Sequence, residues 1–156
     1  PRPRLTRRSG LFFLSVWQKS VYGRTLTEIK ADDEMVPFFA KTMIGFIHDI
    51  IGPCLTNGSW CIITTPKRRH LVKNFATRIS EQIASGLAIP FYEDVCTCRT
   101  KQRVGAIFDV HIVPNEQNII CFDDFVTTGQ TLQAMLRALA PYNKNLLFFS
   151  GINNKL

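Results

Sequence analysis

The stretch Ile119-Ile120-Cys121-Phe122-Asp123-Asp124-Phe125-Val126-Thr127-Thr128-Gly129-Gln130-Thr131-Leu132 constrains this chain more than any other. Asn118 to Phe122 is a short apolar run and reads as a strand buried on both faces. Two carboxylates stand at its carboxyl end, and a Thr/Gly loop leads directly into an amphipathic segment. There the spacing predicts a helix over Thr131 to Ala140, with Leu132, Met135, Leu136 and Leu139 inward and Pro141 closing it. Open α/β sheets bind ligands at the carboxyl ends of their strands. The acid pair and the loop therefore fall where chemistry is expected.

The loop has the makings of a phosphate cradle. A helix start offers unpaired backbone N–H groups and a positive dipole end. Gly129 lets the backbone approach closely, and Thr127, Thr128 and Thr131 add hydroxyl donors. No Gly-Lys-Ser/Thr occurs, so this is not a Walker A loop. Two carboxylates would repel a phosphate and need another task. Carboxylates accept hydrogen bonds from vicinal hydroxyls, so a ligand with a phosphate at one end and a ribose diol beside it fits both features. The bland alternative, an Asp-rich turn before a capped helix, explains Asp-Asp alone but not the whole order.

Elsewhere the pattern alternates. Leu11 to Leu14 could be a strand, and Tyr22 to Lys30 a short helix or an extended arm. Asp32 or Asp33 is expected to cap a helix carrying Val36, Phe39, Ala40, Met43, Ile47 and Ile50 on one stripe, ended by Gly52-Pro53. Trp60 to Thr64 reads as a buried strand, His70 to Ser85 as a helix stopped by Gly86, and Asn145 to Ser150 as a last strand. Phe91 to Cys96 and Ala106 to Val113 are weaker strand candidates around a polar segment, Thr97 to Gly105. Strands alternating with helices predict an open, mainly parallel α/β sheet with helices on both faces.

The chain of 156 residues suits one domain, residues 11–156 with a core at about 33–150. Its net charge is +7, with Arg2, Arg4, Arg7 and Arg8 in a basic segment, residues 1–10, read as a flexible arm. Solvated charge is the plain reading of that arm, and nucleic-acid binding the less favoured one. Five cysteines (Cys54, Cys61, Cys96, Cys98, Cys121) make an odd set without CxxC spacing, which argues for packing and a reducing, cytoplasmic compartment. Alternation would point Cys96 and Cys98 to one face. No signal peptide and no uninterrupted run of about 18 apolar residues is legible, so no membrane contact is expected.

The 119–132 segment resembles the signature of the type I phosphoribosyltransferases: an apolar strand, two acids and a Thr/Gly loop. A haloacid-dehalogenase-like phosphatase fits poorly, because Phe125 occupies the place of its second Asp. Within the family, Tyr22 to Lys30, Asn74-Phe75-Ala76 and Val104 to Val110 look most similar to the ComF-type, competence-associated members. The four-cysteine zinc module that often precedes such domains is absent from this sequence, and the segment between Cys98 and Val104 is shorter than usual.

The resemblance implies a type I phosphoribosyltransferase fold with a small hood from the chain ends. It implies that Asp123 and Asp124 bind the ribose hydroxyls of phosphoribosyl pyrophosphate (PRPP), and that Thr127, Thr128, Gly129, Gln130 and Thr131 hold its 5-phosphate. Thr65, Lys67 and Arg68, after the Trp60–Thr64 strand, would bind pyrophosphate; cations at a helix start also argue for an anion there. Arg103 would join Asp123 and Asp124 in catalysis. Mg²⁺ would come with the substrate, Asp123 or Asp124 being the nearest protein ligands. The implied activity transfers the phosphoribosyl group to a nitrogen nucleophile, a nucleobase, and releases pyrophosphate. A homodimer is compatible with it. The alternative is a non-catalytic PRPP-binding module serving regulation or DNA uptake. Thr127 stands where hypoxanthine-guanine enzymes have an acid, so ordinary 6-oxopurine salvage is not expected.

Overall fold

A computed structural model describes residues 1–67, 73–99 and 105–154, and its first element is one that charge patterning conceals. The basic segment is not a flexible arm: Arg4–Arg8 forms strand β1, antiparallel to β2 (Leu11–Gln18). An edge strand tolerates, and often carries, charged side chains, so its three arginines, Arg4, Arg7 and Arg8, did not preclude pairing. Ser9 and Gly10 make the two-residue turn with φ of 52° and 79°. Two positive φ angles suit a tight hairpin whose twist matches its strands.

A short helix α1 (Leu26–Ala31) follows, capped by the Thr25 hydroxyl accepting from the Glu28 N–H at 3.2 Å. The long helix α2 spans Met35–Asn57 with Glu34 as its formal N-cap, and Asp32 serves its start as expected: Asp32 Oδ1 accepts from the Glu34 N–H at 3.0 Å and the Asp32 carbonyl from the Met35 N–H. Asp32 also closes α1 and accepts from Arg24 at 2.9 Å on its other oxygen. Gly52-Pro53 does not end α2; Ile51, not Ile50, is buried, and the Trp60 indole N–H donates to the Cys54 carbonyl at 3.0 Å. A proline removes one helix hydrogen bond, and α2 continues past it into a largely exposed last turn in which only Leu55 is partly buried. By length and composition α2 could cross a bilayer, but its apolar stripe from Met35 to Ile51 packs on the sheet.

Strand β3 (Trp60–Thr64) precedes helix α3 (Phe75–Leu87), which starts with the Asn74 side chain accepting from the Thr77 N–H at 2.8 Å. Gly86 lies inside α3, and left-handed Ala88 ends it. The His70–Leu71 start expected for this helix lies outside the described residues. Of the next strand candidate, Phe91 to Cys96, only its ends pair: Phe91 by one bridge to Ile62, and Cys96 with Val110. Strands β4 (Cys96–Cys98) and β5 (Phe108–Val110) form a separate small hairpin, joined by the Arg99–Asp109 ion pair. Cys96 is buried and Cys98 exposed, and all five cysteines are thiols. Burial pushes Cys96 up to about 11 and Cys61 up to about 12, which keeps both protonated.

The acid-bearing strand β6 spans Asn118–Val126, helix α4 Gln130–Leu139, and strand β7 Asn145–Asn153. Order in the main sheet is β1-β2-β7-β6-β3, parallel except for β1. Ile120 and Phe122 face a core shared with α2 and α3, whereas Ile119 and Cys121 face a second core under α4. That is a mainly parallel sheet with helices on both faces. The chain ends themselves enter this sheet instead of forming a hood. Residues 19–34, between β2 and α2, supply the group that overhangs the acid pair: Lys30 of α1 stands 3.5 Å from Asp124.

Candidate active site

The acid pair lies within β6, not after it: Asp123 is in register with Ser150 of β7, and both carboxylates are buried, 8% and 9% exposed. Burying charge is unfavourable unless it is compensated. The Thr65 hydroxyl donates to Asp123 Oδ1 at 3.3 Å, which ties the end of β3 to the acid pair. The Phe125 N–H donates to Asp124 Oδ1 at 2.9 Å, and Lys30 Nζ faces Asp124 Oδ2. Burial first, and then the charge of Asp124, push the Asp123 carboxyl well above the usual carboxylate range. Thr65 and Lys30 pull it back, but they do not cancel the burial.

Lys30 also lies 4.9 Å above the Phe125 ring, which stacks on Phe75 at 6.3 Å. A cation over an aromatic face is attracted by the ring quadrupole. The lysine is thus held between a carboxylate and a ring, half exposed at the mouth of the site. Sequence reasoning gave Lys30 no role. A lysine at the end of a six-residue helix carries no local signal of a partner ninety residues away.

After β6, residues 127–129 turn the chain into α4. Gly129 is the helix N-cap at φ 83°, a conformation that a Cβ would strain, and being glycine it brings no side chain to cap the helix. Thr127, Thr128, Gly129, Gln130 and Thr131 therefore meet at a helix start beside the acid pair, as the sequence indicates. The Thr128 hydroxyl accepts from the Gln130 N–H at 3.3 Å. The loop's carbonyl side is held by residues that the sequence reading set aside. Arg8 donates to the Thr127 carbonyl at 3.0 Å and to the Asn153 side chain, and the Ser9 hydroxyl donates to the Thr128 carbonyl.

The other side of the site is built from the end of β3. Thr65 is buried against Asp123. Lys67 is nearly buried, with its ammonium 2.9 Å from Glu93 and 3.2 Å from Asp94. Burial pulls the Lys67 ammonium down, but the hydrogen bonds and charges of the two carboxylates together raise it above its ordinary value. Arg68 and Arg103 lie outside the described residues. Among the described residues no three His, Cys, Asp or Glu side chains converge as a metal site. A hollow of about 390 Å³ lined by Pro53, Trp60 and Asn118 lies at the opposite, amino ends of β3 and β6.

No protein-family model matches the sequence, and no curated protein matches it. Solved structures do match by shape. An adenine phosphoribosyltransferase structure superposes with a TM-score of 0.59 at 12% identity, over 99% of this chain and 85% of its own. The adenine phosphoribosyltransferase of Saccharomyces cerevisiae, complexed with D-2,5-dideoxy-2,5-imino-altritol 1,6-bisphosphate and adenine, gives 0.57 at 13% identity, over 99% and 83%. That of Leishmania tarentolae gives 0.53 at 12% identity, over 87% and 82%. Likeness at such low identity is a likeness of fold, and the chain has the type I phosphoribosyltransferase fold.

Proposed function

We propose that this chain binds PRPP and transfers its phosphoribosyl group to a nitrogen nucleophile, releasing pyrophosphate. The observation that carries the reading is the buried acid pair set beside a helix start whose N-cap is the glycine Gly129, toward the carboxyl end of an inner parallel strand. Asp123 and Asp124 accept from the two ribose hydroxyls, which orients the ring. Backbone N–H groups and hydroxyls of Thr127, Thr128, Gly129, Gln130 and Thr131 hold the 5-phosphate. Thr65 and Lys67, with Arg68, take the pyrophosphate, and Arg103 adds charge to it as it departs. The bond from the anomeric carbon to the pyrophosphate oxygen breaks and a bond to the acceptor nitrogen forms. The acceptor's N–H proton then goes to solvent or to the leaving group. Such a reaction is promoted mostly by positioning and charge stabilisation.

Mg²⁺ suits the donor set as a substrate-borne ion. Two carboxylates are too few for an all-protein cage, and Mg²⁺ is commonly held by one or two carboxylates plus substrate phosphates. Asp123 or Asp124 would face it, and it would neutralise charge on pyrophosphate. Lys30 occupies Asp124 in this structure and has to yield that carboxylate when ribose arrives.

The acceptor is a nucleobase on this reading. Adenine heads the panel to test because the neighbours of like shape are adenine enzymes; orotate and uracil complete it. Thr127 supplies no group able to exchange a proton near neutral pH, and losing such a group costs about 10²–10⁴-fold. Hypoxanthine and guanine should therefore be turned over at least about a hundredfold more slowly than the best acceptor. Steady-state pyrophosphate release across the five bases checks both points; rapid turnover of hypoxanthine would refute the assignment of Thr127.

A second reading, a ComF-like module that binds PRPP without turnover, is favoured by one feature. Lys67 is already paired with Glu93 and Asp94 where pyrophosphate should be received. Mg²⁺-dependent PRPP binding with no pyrophosphate release from any base would select it, and salt-dependent DNA binding would add the DNA-uptake role.

A further inference from the structure

The β1–β2 hairpin is sewn to the loop between β6 and α4. Besides the Arg8 and Ser9 bonds to the Thr127 and Thr128 carbonyls, the Gln133 side chain of α4 donates to the Ser9 carbonyl at 2.6 Å. Arg8 is itself fixed, its guanidinium 5.4 Å from the Phe13 ring and bonded to the buried Asn153 side chain. Asn153 in turn donates to Gln18 at 2.9 Å and to Thr6 at 3.4 Å. Strands β1, β2 and β7 thus share one polar network that ends on the loop. Ser9 holds a left-handed backbone that serine seldom adopts, at the one point where its hydroxyl reaches Thr128.

The geometry points to Arg8 and Ser9 as positioning residues that set the direction of the loop's N–H groups. In a trans peptide the C=O and the following N–H lie in one plane and point opposite ways. Holding the Thr127 carbonyl toward Arg8 turns the Thr128 N–H away from the hairpin. Holding the Thr128 carbonyl toward Ser9 does the same for the Gly129 N–H. Both N–H groups belong to the segment assigned to the 5-phosphate, so the inference rests on that reading. The basic N-terminal segment then acts on ligand binding from behind the loop, through the backbone and without touching the ligand. Lysine cannot replace Arg8 fully, because the planar guanidinium lies by the Phe13 ring while its Nη1 bonds both acceptors, and a strongly hydrated ammonium on a flexible stem is less well fixed there.

The test compares Arg8→Ala, Arg8→Lys and Ser9→Ala with the parent chain, using ribose 5-phosphate and Mg²⁺-pyrophosphate as separate calorimetric probes. Arg8→Ala should weaken ribose 5-phosphate by about tenfold and Ser9→Ala by about threefold. Pyrophosphate binding should stay within about twofold, and Arg8→Lys should recover part of the loss. Unchanged ribose 5-phosphate affinity, or an equal loss of both ligands, would overturn the inference. Backbone amide chemical shifts of Thr128 and Gly129 in the ligand-free variants give a readout independent of the proposed function. If the parent chain binds neither probe, the functional reading fails, yet displaced Thr128 and Gly129 amides in Ser9→Ala still support the positioning role. Undisturbed amides would sink it. Ser9→Ala removes only an exposed hydroxyl, so it serves if Arg8→Ala does not fold.

Discussion

The two halves of the site are held by opposite means. On the β6 side, the phosphate loop is fixed by backbone conformation and by neutral or cationic donors bound to its carbonyls. Beside it, two buried carboxylates are compensated by a hydroxyl, a backbone N–H and a half-exposed lysine. On the β3 side, the cation is the buried group, and two acids compensate it. On the proposed reading, one half is thus an anion cradle whose donors are already in place. The other has its charge already spent and must trade partners to receive an anion. Preorganised donors act without reorganisation at the moment of binding, so affinity should reside in the first half and regulation of release in the second.

Substitution within the acid pair probes the first half most strongly. Asp124→Asn removes a charged acceptor from the ribose and should weaken PRPP by about thirtyfold, the range of hydrogen bonds to charged groups. Calorimetry with Mg²⁺ and PRPP checks it, and affinity within twofold of the parent would break the assignment of the pair to ribose.

The second half should respond in the opposite sense. Glu93→Gln combined with Asp94→Asn removes the two carboxylates that face Lys67, and pyrophosphate should bind about tenfold more tightly through charge-assisted bonds to an ammonium that no longer shares its charge with them. Weaker pyrophosphate binding would mean that the two acids present Lys67 to the ligand instead of competing with it, and the contrast between the halves would vanish.

A smaller effect concerns stability. Asp123 ionises as an ordinary carboxyl when unfolded but keeps its proton to higher pH when folded. Its contribution is therefore full below the ordinary carboxyl range and is lost as pH rises through the raised value. Asp123→Asn should remove that slope, so that the stability of the ligand-free variant relative to the parent grows as pH rises through the raised value. Denaturant titrations at several pH values measure this. A parent whose stability climbs from pH 5 to 8 more steeply than the variant would contradict the burial argument.

Periodicity and local order determined a good deal of this protein. Strand, acid pair, loop and helix at 118–140 are legible because each has a short-range signature: an apolar run, adjacent acids, Gly129 and a 3.6-residue stripe. Alternation of elements from Trp60 onward gave the parallel sheet for the same reason. Element ends were less legible: α2 runs through Pro53, and β6 carries the acids inside it because cross-strand pairing with β7 extends the strand past the apolar run.

What only the tertiary structure decided is the set of partners. Arg8 looks like one more solvated arginine until β1 pairs with β2 and brings it 119 residues along the chain to Thr127. Lys30, Glu93, Asp94 and Asn153 carry no local mark of the groups they hold. A charge in sequence states what a side chain can bind. Which neighbour it meets depends on the sheet order and on the loops that the sheet brings to one edge, and these are properties of the whole chain.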